Sequence, residues 1–250
     1  MPTAVLSALP EEQEGLAGQL QDLRVERYAG RDFHVGRWHE RPVVFALSRI
    51  GKVAAATTAA ALIERFGVRR IVFTGVAGGL HDKVRVGDTV IGTEFLQHDM
   101  DASPLFPRHE IPLYGRARFP ADAMLSGLLW RAASMQGVFD AETRRRFGLE
   151  APRIHQGLLI SGDRFVARAD EARALRAALP DALAVEMEAA AVAQVCHDHG
   201  VPFAAVRNIS DRADDQAHVD FPAYLTRVAG VQARALITAL LPMLPVPPST

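Results

Sequence analysis

The chain has 250 residues, 49% of them hydrophobic, enough for one large α/β domain with a full core. A net charge of -1 leaves no basic footprint, which argues against nucleic acid or an anionic membrane as partner. The single Cys196 excludes an internal disulfide and a thiolate metal cluster, and it fits a reducing cytoplasm.

No basic region followed by an apolar run opens the chain, and no apolar stretch reaches spanning length, so neither signal peptide nor membrane segment is expected. Residues 4–8 read as a short apolar strand, and Leu9-Pro10-Glu11-Glu12 as the opening of a helix. Two readings of Glu12 stand side by side. It complements a helix dipole, or it points as a base into the crevice where strand gives way to helix. Residues 33–37 and 43–47 read as a hairpin, and 53–66 as an Ala-rich helix stopped by Gly67. Residues 70–74 predict a buried strand ending in the turn Gly75-Val76-Ala77-Gly78-Gly79, whose N–H groups can approach a ligand closely. That turn has neither the Lys-Ser/Thr of a phosphate loop nor the glycine spacing of a dinucleotide fingerprint.

A strand over 89–95 leads to a loop from His98 to about Phe119, rich in proline and aromatics. A lid or partner contact fits it better than a metal site, because its His98, Asp99 and Asp101 are few and clustered. Residues 123–135 predict a helix, 142–150 a solvated, mobile charged stretch, and 153–161 a strand. Asp170 is expected to cap a helix closed by Pro180. Residues 183–187 return as a strand and hand over at Glu188 to a helix over 189–199, where Cys196 reads as a buried structural thiol.

Residues 201–206 form a nearly continuous apolar run, as in a strand covered on both faces, and break into Arg207-Asn208-Ile209-Ser210-Asp211. Ligands of open α/β sheets sit beyond such strand ends. An acid, a hydroxyl and a guanidinium arriving there can hold and protonate a small polar molecule, although Ser210 or Asp211 can equally cap a turn. A helix over 221–241 closes the chain. Alternating strands and helices predict one α/β domain over residues 1–241 and a flexible tail over 242–250.

Laid out in this order, the chain resembles the nucleoside phosphorylase/hydrolase superfamily, and within it the bacterial 5′-methylthioadenosine/S-adenosylhomocysteine nucleosidases. The resemblance rests on Ala8-Leu9-Pro10-Glu11-Glu12, Ile50-Gly51-Lys52-Val53-Ala54-Ala55, Thr74-Gly75-Val76-Ala77-Gly78-Gly79-Leu80 and Val86-Gly87-Asp88. It continues through Ser161-Gly162-Asp163-Arg164-Phe165, Ala184-Val185-Glu186-Met187-Glu188-Ala189 and Arg207-Asn208-Ile209-Ser210-Asp211. It implies a three-layer sandwich around a central mixed, twisted sheet, a homodimer, and an adenine nucleoside as substrate with no metal and no cofactor. By the resemblance Asp211 protonates the purine at N7, steadied by Ser210, and Glu12 activates water with Arg207 close by. Met187 and Glu188 hold the ribose, with Val76 and Ala77 beside ribose and water. Gly78, Phe165 and Val166 meet the purine, and Ile50, Phe221, Leu105 and Phe106 the 5′ group.

N-ribosidic cleavage builds positive charge on the sugar, and adenine leaves poorly until its ring is protonated. An acid at one end and a base with water at the other divide that work. Asp211 must then hold a proton near neutral pH, which calls for a dry setting. The sequence departs from the nucleosidases at Val76, where they usually carry Ser, and in the loop Met100-Asp101-Ala102-Ser103-Pro104-Leu105-Phe106. Three alternatives stay open: a phosphorylase, a purine-binding protein without turnover, and a hydrolase of futalosine-type nucleosides.

Overall fold

The computed structural model describes residues 2–137, 139–213 and 221–245. Its ten strands are β1 (Thr3–Ser7), β2 (Gln21–Tyr28), β3 (Arg31–Trp38), β4 (Arg41–Leu47), β5 (Arg70–Gly79), β6 (Thr89–Gln97), β7 (Arg118–Pro120), β8 (Ile154–Ser161), β9 (Ala182–Glu186) and β10 (Phe203–Asp211). The helices are α1 (Lys52–Glu64), α2 (Ala123–Ser134), α3 (Ala141–Phe147), α4 (Ala169–Ala178), α5 (Ala189–Asp198), α6 (Phe221–Tyr224) and α7 (Gly230–Leu240). A π-helical turn, Leu225–Ala229, joins the last two. Among the described residues no helix is long and apolar enough to cross a membrane.

β5 is the strand on which the others converge. Its first half runs parallel to β1, pairing Arg70–Phe73 with Thr3–Leu6. It runs parallel to β10 from Ile71 to Gly78, while Gly78 and Gly79 pair antiparallel with Val185 and Ala184 of β9. β10 lies antiparallel to β6, β6 parallel to β8, and β8 parallel to β9. Strands β5, β10, β6, β8 and β9 therefore close into a ring. On the other side of β5 the sheet continues through β1, β4, β3 and β2.

Period-two alternation on strands buried on both faces builds two cores. Ala4, Leu6, Ile71 and Phe73 face α1 and α5, meeting Ala55, Leu62, Val192 and Cys196. Val5, Val72 and Val206 face α2 and α7, meeting Leu125, Leu129, Leu236 and Ile237. The result is the expected three-layer arrangement around a mixed sheet. Each such large apolar side chain contributes about 1.5–3 kcal/mol by leaving water. Burial also pushes the Cys196 thiol up, as suits a structural cysteine.

Several expectations are corrected. β5 does not stop at Thr74 but continues through the glycines, because β10 on one side and β9 on the other supply ladder partners. β10 likewise continues through Asp211. The charged stretch expected to be mobile contains α3, capped by the Asp140 carboxylate, which accepts from the Thr143 N–H, and ended by Gly148 at φ +63°. Asp170 lies inside the first turn of α4, whose N-cap is Arg168. The tail expected from residue 242 is held as far as Leu244, which is buried, and Arg41 donates to the carbonyls of Pro242 and Leu244. Residues 246–250 lie outside the described residues.

Candidate active site

The carboxyl ends of β1, β5, β9 and β10 open onto one cavity of about 180 Å³ that is partly open to solvent. Its walls include Glu12, Ile50, Val76, Ala77, Gly78, Phe165, Val166, Met187, Glu188, Arg207, Ser210, Asp211 and Phe221. Glu12 and Asp211, 199 positions apart in the sequence, thus share a single cavity. Leu105 and Phe106 do not line it, and Leu105 is 84% exposed.

Glu12 ends a short 3₁₀ turn, Pro10–Glu12, directly after β1. Its Oε2 accepts from the N–H groups of Ala8 and Leu9 at 2.9 and 3.0 Å, so it caps its own turn. Its Oε1 is buried without a partner. The dipole and crevice readings of Glu12 therefore meet in one residue, with one oxygen for the turn and the other for the cavity. The side chain is 1% exposed, and burial pushes its carboxyl up to about 7 against the Leu9 N–H and the Arg207 charge. The approach is close because residue 75 is glycine: a Cβ there would lie 3.2 Å from Glu12 Oε1 and 3.5 Å from Arg207 Cζ.

Asp211 reaches the cavity through a bulge. Ile209 pairs with Ala77 and Asp211 with Gly78, so Ser210 is the extra residue, and both Ser210 and Asp211 turn inward. Asp211 Oδ2 accepts from Ser210 Oγ at 2.7 Å, and Oδ1 from the Ala213 N–H at 2.7 Å. The segment 214–220 that follows lies outside the described residues. Phe221 resumes the chain and meets Phe165 edge to face, with ring centroids 6.4 Å apart at the cavity mouth.

Between the two carboxyls lies a buried polar floor. Glu188 Oε1 accepts from the Gly51 N–H at 2.9 Å, and burial, reinforced by the charge of Glu186, holds its carboxyl well above the usual range. Arg207 is 1% exposed, stacks 4.2 Å from the Phe73 ring and donates to Glu186 Oε2 at 2.7 Å. Glu186 also lines the cavity, and sequence reasoning had assigned it no role. The available signal was a charge at the end of the apolar run Ala182–Val185. Among the described residues no three His, Cys, Asp or Glu side chains come together to hold a metal ion.

A closed ring of strands with buried carboxyl groups at a glycine-floored cavity defines a class, and the sequence profile of the phosphorylase superfamily matches residues 2–242. The chain is 35% identical over 242 residues to the 5′-methylthioadenosine/S-adenosylhomocysteine nucleosidase of Actinobacillus succinogenes, covering 96% of this chain and 98% of the relative. The crystal structure of the nucleosidase of that name from Neisseria meningitidis, in complex with methylthio-immucillin-A, superposes with a TM-score of 0.85. The identity there is 34%, over 97% of this chain and 99% of that one. Futalosine hydrolase of Helicobacter pylori superposes with a TM-score of 0.83 at 29% identity, over 98% of each chain. The chain belongs to the phosphorylase superfamily and, within it, to the 5′-methylthioadenosine/S-adenosylhomocysteine nucleosidase family.

Proposed function

We propose that the protein hydrolyses the N-ribosidic bond of 5′-substituted adenine nucleosides, releasing adenine and a 5-substituted ribose. Methylthioadenosine and S-adenosylhomocysteine are the leading substrates, with 5′-deoxyadenosine in the same class. The observation that carries this reading is the pair of carboxyls set along one strand. Glu12 sits against Gly75 and Asp211 against Gly78. Three strand residues span about 10 Å, roughly the reach from a water behind the sugar to the far side of a purine.

Asp211 gives its proton to N7 as the bond from N9 to C1′ breaks, and the electron pair leaves with the base. The Ser210 hydroxyl can donate or accept, so it steadies Asp211 in either protonation state. Glu12, through its open Oε1, takes the proton of the water that attacks C1′. Glu188 and Met187 hold the ribose, Val76 and Ala77 border the ribose and water, and Gly78, Phe165 and Val166 receive the purine. Ile50 and Phe221 flank the 5′ group. The exposed Leu105 and Leu113 of the 98–119 loop support pairing of two copies into a homodimer, in which that loop would cover the 5′ end of the partner's site.

Hydrolysis is favoured over phosphorolysis because both arginines of the cavity wall are engaged by carboxylates, Arg207 by Glu186 and Arg164 by Glu171. Arg49 lies outside the wall and donates to the Gly30 carbonyl. The test is adenine release from methylthioadenosine with and without phosphate, with the sugar product identified. Free 5-methylthioribose at a phosphate-independent rate supports the reading, and ribose 1-phosphate esters overturn it. The likeness to futalosine hydrolase supports one second reading, a nucleoside with a bulkier 5′ arm. Faster turnover of aminofutalosine than of methylthioadenosine would select it.

A further inference from the structure

Four charged side chains meet where β9, β10 and the 10–12 turn converge, and Glu186 is the one with no part in the chemistry above. It is buried and accepts from four donors: Ser161 Oγ, Arg207 Nη2, and the N–H groups of Glu188 at 3.1 Å and Ala189 at 2.9–3.0 Å. The other Arg207 bonds go to the carbonyls of Phe73 and Val206, and none joins Arg207 to Glu12. Three buried carboxyls around one guanidinium cannot all stay ionised at neutral pH without a large penalty. Hydrogen-bond donors distinguish the three. Glu186 has four, whereas Glu12 accepts from the N–H groups of Ala8 and Leu9 and Glu188 from that of Gly51.

We infer that Glu186 is a positioning residue: its carboxylate pins the Arg207 guanidinium and offsets its charge, so that Arg207 orients the site without locking Glu12 in the ionised form. The inference rests on the reading of Glu12 as the base that activates water. The charged groups facing Glu186 are Arg207 from β10 and Glu188 from the β9–α5 junction, with His98 just beyond β6, and Glu12 from the 10–12 turn faces Arg207 and Glu188 in turn. β8 contributes the uncharged Ser161, while the Phe73 ring of β5 stacks on Arg207.

Replacing Glu186 by Gln removes a negative charge from beside Arg207. The positive charge of Arg207 then favours ionised Glu12 more strongly. The acid limb of the kcat/KM profile for adenine release moves to lower pH by about one unit or more, with a reduced kcat. Glu186→Asp keeps the charge and shortens the reach. Its limb stays at the wild-type position, kcat falls about tenfold or more, and the nucleoside KM changes less than about threefold. A folded Glu186→Gln protein with an unmoved limb overturns the inference, as does Glu186→Asp with undiminished kcat. Should Glu186→Gln fail to fold, the charge-retaining Glu186→Asp decides alone. Wild-type protein that releases adenine from no nucleoside overturns the functional reading and this inference with it. Active wild type with unchanged variants overturns only the role of Glu186.

Discussion

Gly78 and Asp211 are register partners, and a Cβ on Gly78 would lie 2.9 Å from Oδ1 of Asp211 and 2.9 Å from the Cβ of Ala213. The backbone of Gly78 has no positive φ, so alanine is tolerable there as a conformation and fails only through contact. Something must shift: either the Asp211 carboxyl, which accepts from Ser210 Oγ and the Ala213 N–H, or Ala213 itself, and both moves disturb the same acid. Gly78→Ala is expected to cost about 1–3 kcal/mol of stability. Adenine release is expected to fall about a hundredfold, since a displacement near 1 Å is enough for that. Thermal melting and steady-state kinetics on the same preparation separate the two effects, and an active, stable variant would show that Asp211 tolerates displacement.

Asp211→Asn keeps the shape of the side chain, the acceptor for the Ala213 N–H and a partner for Ser210 Oγ. What it loses is a transferable proton. Turnover is expected to fall by about 10²–10⁴, with adenine binding largely kept. Near-normal turnover with the asparagine in place removes Asp211 from the role of acid.

The parts of this fold legible in the sequence are those where burial writes a pattern. Continuous apolar runs at Ala4–Leu6 and Ile71–Phe73 mark strands covered on both faces, and the structure puts adjacent residues into opposite cores. β2 goes unread although Leu23 and Val25 alternate with charged residues, because the pattern is two residues long and both stay exposed. The glycines at 75, 78 and 79 read as a turn because glycine weakens a strand. Only the tertiary ladder, with β10 and β9 pairing there, shows that close approach to Glu12 and Asp211 is what they allow. α3 had its signals, Asp140 and Gly148, but three arginines between them suggested a solvated stretch. Glu186 was hidden for another reason. A residue that acts by holding another charge has no spacing of its own, and Leu105 and Phe106 could be assigned only by resemblance.

Glu12 couples stability and activity with opposite signs. Its folded carboxyl titrates at about 7 against an ordinary value of 4.5, so between those limits the native state binds the proton more tightly than the unfolded chain. Stability from this group is therefore full below about pH 4.5 and is lost progressively as pH rises to about 7, by an amount on the order of 2–3 kcal/mol. Activity that needs ionised Glu12 rises over the same upper range. Glu12→Gln is expected to melt several degrees higher than wild type at pH 8 and little differently at pH 4.5. Its adenine release is expected to be all but abolished. Parallel melts at the two pH values check the sign, and a variant less stable at pH 8 would mean that Glu12 ionises without penalty.

Lys52 tests whether the N-terminus of α1 is held in place beside the cavity. Its Nζ donates to Asp99 at 2.5 Å and Gln97 at 3.1 Å, and its own N–H to Asp163 at 2.7 Å. The Asp163 N–H closes the unit on Asp99 at 2.9 Å, and the neighbouring Gly51 N–H holds Glu188. An exposed ion pair would be worth about 0–1 kcal/mol. Here the Lys52 side chain is only 15% exposed and Asp99 30%, and the pair ties the N-terminus of α1 to the exits of β6 and β8. Lys52→Met keeps the stem and deletes the ammonium, which leaves Asp99 without its cation. The expected loss is about 1–3 kcal/mol. The KM for nucleoside is expected to rise several-fold as the Gly51 N–H drifts from Glu188. In a double-mutant cycle with Asp99→Asn, a coupling of about 0.5–3 kcal/mol marks the pair as one unit. A negligible coupling with unchanged KM would reduce Lys52 to a solvated surface charge and leave Glu188 held by local backbone alone.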